Sequence, residues 1–374
     1  MTRVLVVNAG SSSLKYEVLD AETAVSVVSG AVERIGVPGS GVPDHAAAIA
    51  DVLDGLDPES IDAVGHRVVH GGSVFRGATV IDDAVEAEID RLAELAPLHN
   101  PPGLQGIRAA RAALPFVPHV AVFDTAFHAT LAPEAYSYAI DANVAATYGV
   151  RRYGFHGSSY RYVGGRAAEV LGRPLAELRL VVLHLGNGAS AAAIAGGRSV
   201  DTSMGMTPLE GLVMGTRSGD VDPAVLLHLQ RLGGYDTAAL DDLLNRDSGL
   251  KGLGGHSDMR DLLEAVDAGD AAAALAFEVY VLRVTRYIGA YAAELGGIDA
   301  LVFTAGVGEN SARVRARAVE RLGFLGIAVD PALNDARSSE PRVVSPPGAA
   351  VSVLVVPTNE ELQIAVETVE VLRG

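Results

Sequence analysis

Residues 178–203 read LRLVVLHLGNGASAAAIAGGRSVDTS, and residues 3–20 read RVLVVNAGSSSLKYEVLD. Each is an apolar strand, a turn of glycine, asparagine or serine, and a returning strand. A two-residue hairpin would favour Asn-Gly or Asp-Gly. These connections are longer and carry hydroxyls, backbone N–H groups and, in the first, Lys15. Such turns offer hydrogen-bond donors to something negatively charged. One plan used twice at this separation is no solenoid. It is an internal duplication, each half opening on its own phosphate-sized turn.

The rest of the chain alternates strand-like and helix-like patterns, the mark of an α/β protein. Residues 81–97 predict an amphipathic helix, and Pro101 and Pro102 open another running to Leu114. The stretch VPHVAVFDTAFH predicts a buried strand ending near Asp124, and a second α/β block starts around residues 130–150. Residues 257–295 read as almost wholly helical, broken at Gly269 and Asp270. Residues 298–326 read as strand, glycine turn and helix, with Asn310 or Ser311 as cap. TNEE near the C-terminus has the form of a capping box, Thr358 at N-cap and Glu361 at N3, which leaves Glu360 spare.

A chain of 374 residues exceeds the usual single core, so two domains are expected. No linker rich in proline and serine separates them. The hydrophobic fraction is 49% and mean hydropathy +0.27, yet no apolar run is long enough to span a membrane. The first apolar run ends at Asn8, too short for a signal peptide, and the reading is a soluble cytoplasmic protein. Cysteine is absent, which excludes disulfides, thiolate metal sites and a cysteine nucleophile. The formal charge of −17 argues against nucleic acid as a partner. It also means that an anionic substrate must be met by local cations. The only lysines are Lys15 and Lys251, both in or beside glycine-rich segments.

Four glycine-rich turns stand out, at Gly10, Gly186–Gly188, Gly306–Gly308 and MGTRSGD (214–220). Strand ends opening onto such turns are where α/β proteins gather phosphates. No Walker A sequence is present. The rival reading is a dinucleotide site: GVGENS resembles GxGxxG with Ser311 last, and Asp330 stands where a ribose acid would. It leaves the other three turns unexplained. Charged candidates cluster near the same turns: Arg67 inside an apolar strand, Asp124 at a strand end, Arg151, Arg152 and His156 before a helix start, and Arg217 between Gly215 and Gly219. Each could equally be half of a structural ion pair. His66 and His70 are four apart, but on a strand and turn that spacing does not make the helical zinc pair.

The motifs NAGSSSLKY, VGHRVVHGG, LHNPPGLQGI, VFDTAFH, RRYGFHGSS, SDMRD, FTAGVGENSARVR and PTNEE, with the 40-residue stretch from HLGNGAS to GDVDP, resemble the acetate kinase family. The match runs in order from Val4 to about Ile364. The resemblance implies two duplicated actin-like lobes of βββαβαβα order with the active site in the interdomain cleft. Residues 1–128 plus 361–374 would form one lobe, and residues 129–360 the nucleotide and dimer lobe. It also implies a homodimer and reversible phosphoryl transfer between ATP and acetate, dependent on Mg²⁺ or Mn²⁺. By matching motif, Asn8 and Glu360 would sit near the metal, with Ser11, Ser13 and Lys15 in the first phosphate turn. Asp124, Arg67, Arg217 and His156 would surround the reacting centre. Arg151, His184, Leu185, Gly186, Asn187 and Gly188 would hold phosphates. Asp258, Met259, Arg260, Gly306, Val307, Gly308, Glu309 and Asn310 would hold adenosine. Val69, Leu98, Phe155 and Pro208, beside Arg67, match the pocket for the acetate methyl. Two departures from the family pattern are Tyr160, where it reads GFHGTSH, and His256, where it has a small residue.

A carboxylate acceptor is already ionised at neutral pH, so the reaction needs no base. The obstacle is repulsion. At about 4 Å and an effective dielectric near 20, a carboxylate and a doubly charged phosphoryl group oppose one another by about 8 kcal/mol. Cations must carry the catalysis. Asp124 is open to three roles: orienting metal-bound water, orienting an arginine, or acting as a nucleophile that forms a phospho-aspartate. Propionate is the alternative acceptor. A nicotinamide oxidoreductase and a chaperone-like ATPase are the competing classes.

Overall fold

In the computed structural model the described residues, 2–10, 12–97 and 99–374, form two units. Ser11 and Leu98, both named above, lie outside the described residues. The first unit takes in the chain up to residue 129, with 155–162 and 359–374. Its strands are β1 (Arg3–Ala9), β2 (Ser13–Asp20), β3 (Val25–Glu33), β4 (Ala63–Val68), β5 (Thr79–Val80) and β6 (His119–Phe123). They lie in the order β3-β2-β1-β4-β6-β5. The first three are antiparallel, β4 joins β1 and β6 joins β4 in parallel, and β5 closes the edge antiparallel to β6.

The run RVLVVNA explains why β1 is central. Leu5 and Val7 pack with Leu14, Ile49 and Ala110, beneath the helices His45–Asp54 and Asn100–Ala113. Val4 and Val6 point the other way, onto Ile364, Ala365 and Val369 of the C-terminal helix Glu360–Arg373. A strand covered on both faces reads as an unbroken apolar run, while its pleat still divides the side chains between two layers.

The second unit holds residues 130–154 and 163–358. Its strands are β7 (Arg179–Leu185), β8 (Ala189–Ala195), β9 (Arg198–Thr202), β10 (Ala300–Thr304), β11 (Arg342–Val343) and β12 (Ser352–Val355). Their order, β11-β12-β10-β7-β8-β9, read backwards repeats the first sheet strand for strand. Every pairing also has the same sense. The duplication seen in the two hairpins therefore extends through both sheets. The sequence ASAAAIA of β8 is a poor strand former by propensity, and burial holds it: Ala191, Ala192 and Ala193 are fully covered, with the long helix Ala271–Glu294 packed on this strand. No helix among the described residues is long and apolar enough to cross a membrane.

Two local readings change, and one open choice of cap closes. The helix expected over 81–97 is Asp83–Arg91 followed by a 3₁₀ turn, Leu92–Glu94, since Pro97 disfavours helix in the residue before it. The capping box of TNEE is not formed. Asn359 is the N-cap and accepts from Leu362 N at 2.9 Å, so Glu361 stands at N2, one place early for the reciprocal bond. Thr358 N donates instead to Glu309 Oε1 at 3.1 Å. Of the two candidate caps after β10, Ser311 caps Ala312–Val319, while Asn310 Nδ2 donates to Gly306 O.

Candidate active site

In the first unit, parallel strands bring three side chains to neighbouring ends. β1 pairs with β4 through Val7 and His66, so Asn8 and Arg67 come next on each strand. Asp124 follows the last residue of β6 and donates its N–H to Val68 O at 3.0 Å. Arg67 Nε and Nη2 donate to the two oxygens of Asp124 at 3.0 and 2.7 Å. Its Nη1 reaches Asn8 Oδ1 at 3.4 Å, and Glu360 Oε2 lies 3.8 Å from Nε. Burial alone would lower the pKa of Arg67, but the charges of Asp124 and Glu360 outweigh it and hold the guanidinium above its ordinary value.

His156 is attached to the same cluster through the backbone. Gly157 N donates to Asp124 O at 2.9 Å, and a Cβ on Gly157 would stand 2.2 Å from that oxygen. Only glycine permits this approach. His156 itself has φ of 58°, a left-handed conformation that costs a non-glycine residue energy and recurs at functional sites. Phe155 is buried, its carbonyl accepting from His128 Nε2 at 2.9 Å. Val69, just past β4, is half-buried. Lys15 is exposed and pairs in register with Asn8, and Ser13 opens β2.

In the second unit a cavity of about 930 Å³ gathers Gly186, Asn187, Asp258, Met259, Arg260, Gly306, Val307 and Asn310. The turn between β7 and β8 is closed by Gly186 N donating to Gly188 O at 3.0 Å. His184 and Leu185 are buried on β7, which leads into that turn, while Gly308 and Glu309 belong to the short helix Ala305–Asn310. Gly215 N donates to Asn187 O, and a Cβ on Gly215 would meet Asn187 Oδ1 at 2.2 Å, which is why MGTRSGD can lie against the turn. Asp258 caps the helix Met259–Asp267 and is gripped by Arg260. Hydrogen bonds from the Arg260 side chain and backbone pull its pKa down to about 2.

Arg217 differs from Arg67. Its Nη1 donates to Pro208 O at 2.7 Å, and no carboxylate among the described residues lies within ion-pair distance. Burial lowers its pKa with nothing to offset the loss of water.

Several expected residues do other work or lie elsewhere. Arg151 stacks on Tyr136, its Cζ 3.6 Å from the ring centroid, and does not line the cavity. Arg152 binds the carbonyls of Thr202, Ser203 and Met204 and the carboxylate of Glu210, a structural role. Asp330, the ribose acid of the dinucleotide reading, caps the helix Pro331–Asp335 through Ala332 N and Leu333 N. His66 pairs with His119, Nε2 to Nδ1 at 2.9 Å, whereas His70 Nδ1 accepts from Gly72 N. Lys251 forms an exposed pair with Asp247. Tyr160 is core, stacked near Phe127 and edge-on to His128, and His256 does not line the cavity. Sequence reasoning named no role for Tyr280, Leu263 or Arg337, which line the cavity from helices and a loop that carry no motif.

A duplicated α/β fold, acids gathered around one guanidinium, an arginine with no acid within ion-pair distance among the described residues, and a glycine-lined cavity fit a phosphotransferase. The Acetokinase family model matches residues 3–366. An acetate kinase of Leifsonia xyli subsp. xyli is 58% identical over 387 residues, covering 98% of each chain. The acetate kinase of Porphyromonas gingivalis superposes with a TM-score of 0.95 at 42% identity over 100% of both chains. A propionate kinase from Francisella tularensis subsp. tularensis gives 0.94 at 38% identity over 99% of this chain and 100% of its own. The chain belongs to the acetokinase family, and so to the kinases that transfer phosphate to a carboxylate.

Proposed function

We propose that the chain catalyses reversible transfer of the γ-phosphoryl group of ATP to acetate, giving acetyl phosphate and ADP by direct in-line transfer. The observation that carries this reading is Arg217: a mostly buried guanidinium with a carbonyl partner and no acid. Holding such a cation out of water is costly unless an anion is to arrive. In this proposal Arg217 takes the negative charge shared by the carboxylate and the moving phosphoryl group. His156 donates to an equatorial phosphoryl oxygen.

Asp124 acts through Arg67. Both its oxygens accept from that guanidinium, so it fixes the fork instead of attacking phosphorus. The donor set around Arg67, the carboxamide oxygen of Asn8 and the carboxylate of Glu360, suits a hard divalent cation that keeps waters and takes phosphate oxygens, as Mg²⁺ does. Among the described residues no group of three acids or histidines could by itself hold a metal. Bound there with the nucleotide, Mg²⁺ or Mn²⁺ would neutralise charge on the β and γ oxygens. The second unit's cavity holds adenosine, with Asn187 and Gly186 at its phosphate end.

Acetate is the acceptor preferred here because Val69, Phe155 and Pro208 match a pocket for a methyl group. The propionate kinase relative supports propionate as a second, slower acceptor. The enzyme is read as a cytoplasmic homodimer. The test is formation of acetyl phosphate from acetate and MgATP, trapped as the hydroxamate. ATP hydrolysis unaffected by acetate would contradict the reading.

A further inference from the structure

Beside the proposed nucleotide cavity lies another, of about 740 Å³, in the same unit. Asn310, Ser311 and Arg337 line both. Arg313, Arg315, Arg337 and Arg342 converge on it with Ser338 and Ser339, against the carboxylates of Glu309 and Asp335. Four positive groups face two negative ones, in a chain whose net charge is −17. Arg313 is committed to Asp267, at 2.7 Å. Glu309 is committed too, accepting from Thr358 N.

The other three guanidiniums have no carboxylate within ion-pair distance among the described residues. Arg315 is fully buried and donates to Asn334 and to the carbonyls of Gly308 and Glu309. Arg342 donates to Ser338 O at 3.3 Å, but its buried Nε has no partner. Arg337 is exposed and makes no hydrogen bond or ion pair among the described residues. Burial, and after it the neighbouring charge of Arg342, pull the Arg315 pKa down to about 10, and the carboxylate of Asp335 offsets this only in part.

We propose that this cavity is a second anion site, which takes a free diphosphate on Arg337 and Arg342 with the hydroxyl of Ser339. Guanidinium forks match phosphate oxygens two at a time. The volume is that of a small-molecule pocket. A diphosphate would supply the counter-charge that Arg337 and Arg342 lack and shield Arg315 from Arg342. That the site adjoins a nucleotide rests on the function proposed above; the anion site itself does not.

Calorimetric titration of the full chain with inorganic pyrophosphate, with and without saturating ADP, tests this. The expected result is one equivalent of pyrophosphate that ADP does not displace. Its affinity should fall about tenfold or more in Arg342→Gln and in Arg337→Gln, as loss of a charged hydrogen bond does. The ADP affinity of Arg342→Gln should be unchanged. Because Arg337 is exposed and unpartnered, its variant keeps the fold if Arg342→Gln does not. Pyrophosphate that ADP displaces completely, binding equal to wild type in both variants, or no binding at all would overturn the proposal. If ADP itself fails to bind, the nucleotide reading falls, while the comparison of variants with wild type still decides the anion site.

Discussion

At the scale of residues, two arginines of the same chemistry hold opposite positions. Arg67 is clasped by Asp124 and approached by Glu360, and Arg217 has only a carbonyl. Removing Arg217 should therefore cost turnover and leave stability nearly intact. For Arg217→Ala we expect kcat to fall by about 10²–10³, the loss seen when a transition-state donor is deleted. Steady-state kinetics with circular dichroism checks this, and a loss below tenfold would make the residue structural. Asp124→Ala should instead destabilise the fold by about 1–3 kcal/mol, because it removes both charged hydrogen bonds from the partly buried Arg67 guanidinium and leaves it only Asn8 and the more distant Glu360. Urea unfolding measures that. Both arginines were visible in the sequence as charges among apolar and glycine residues. Which of the two is paired was not, since pairing depends on Asp124, 57 positions from Arg67.

At the scale of elements, the clamp between the Gly157 turn and the end of β6 sets where His156 stands. Gly157→Ala would drive a Cβ against Asp124 O and should cost about 1–3 kcal/mol, with a larger fractional loss of kcat, measured by thermal unfolding and assay. The histidine pair of β4 and β6 gives a pH dependence. His119 Nε2 donates to Leu114 O, so its Nδ1 accepts from His66 Nε2, and both rings are neutral. Burial lowers both pKa values below the usual 6.5, that of His66 well below. The unfolded chain then binds protons first, so stability is complete above pH 6.5 and falls as pH drops below it. Thermal midpoints should decline on acidification through that range, and a flat profile would contradict the neutral pair. Element types were legible because apolar periodicity is local. The caps were legible only in part: Ser311 stood among the expected caps, but Asn359 in place of Thr358 is decided by backbone angles that no motif records.

For the molecule as a whole, the repeated hairpin pointed to a duplication, and the two sheets of identical strand order extend it; the order itself was not legible, since it depends on pairings between distant strands. The cavity of the second unit was legible through its glycine turns and the SDMRD stretch. Tyr280, Leu263 and Arg337 reach it from segments without a motif. Because that cavity lies within one unit, ADP alone should protect the helices Met259–Asp267 and Ala305–Asn310 from amide exchange and leave β4 and β6 unaffected. Protection confined to the first unit would contradict the assignment. The central claim is that Asp124 steadies Arg67 while the carboxylate attacks phosphorus directly, in a field of cations. Stereochemical analysis of transfer from ATP made chiral at its γ-phosphorus with oxygen isotopes and sulfur tests it most directly. Inversion at phosphorus is the predicted result; retention would mean that a phosphorylated Asp124 carries the group, and would contradict it.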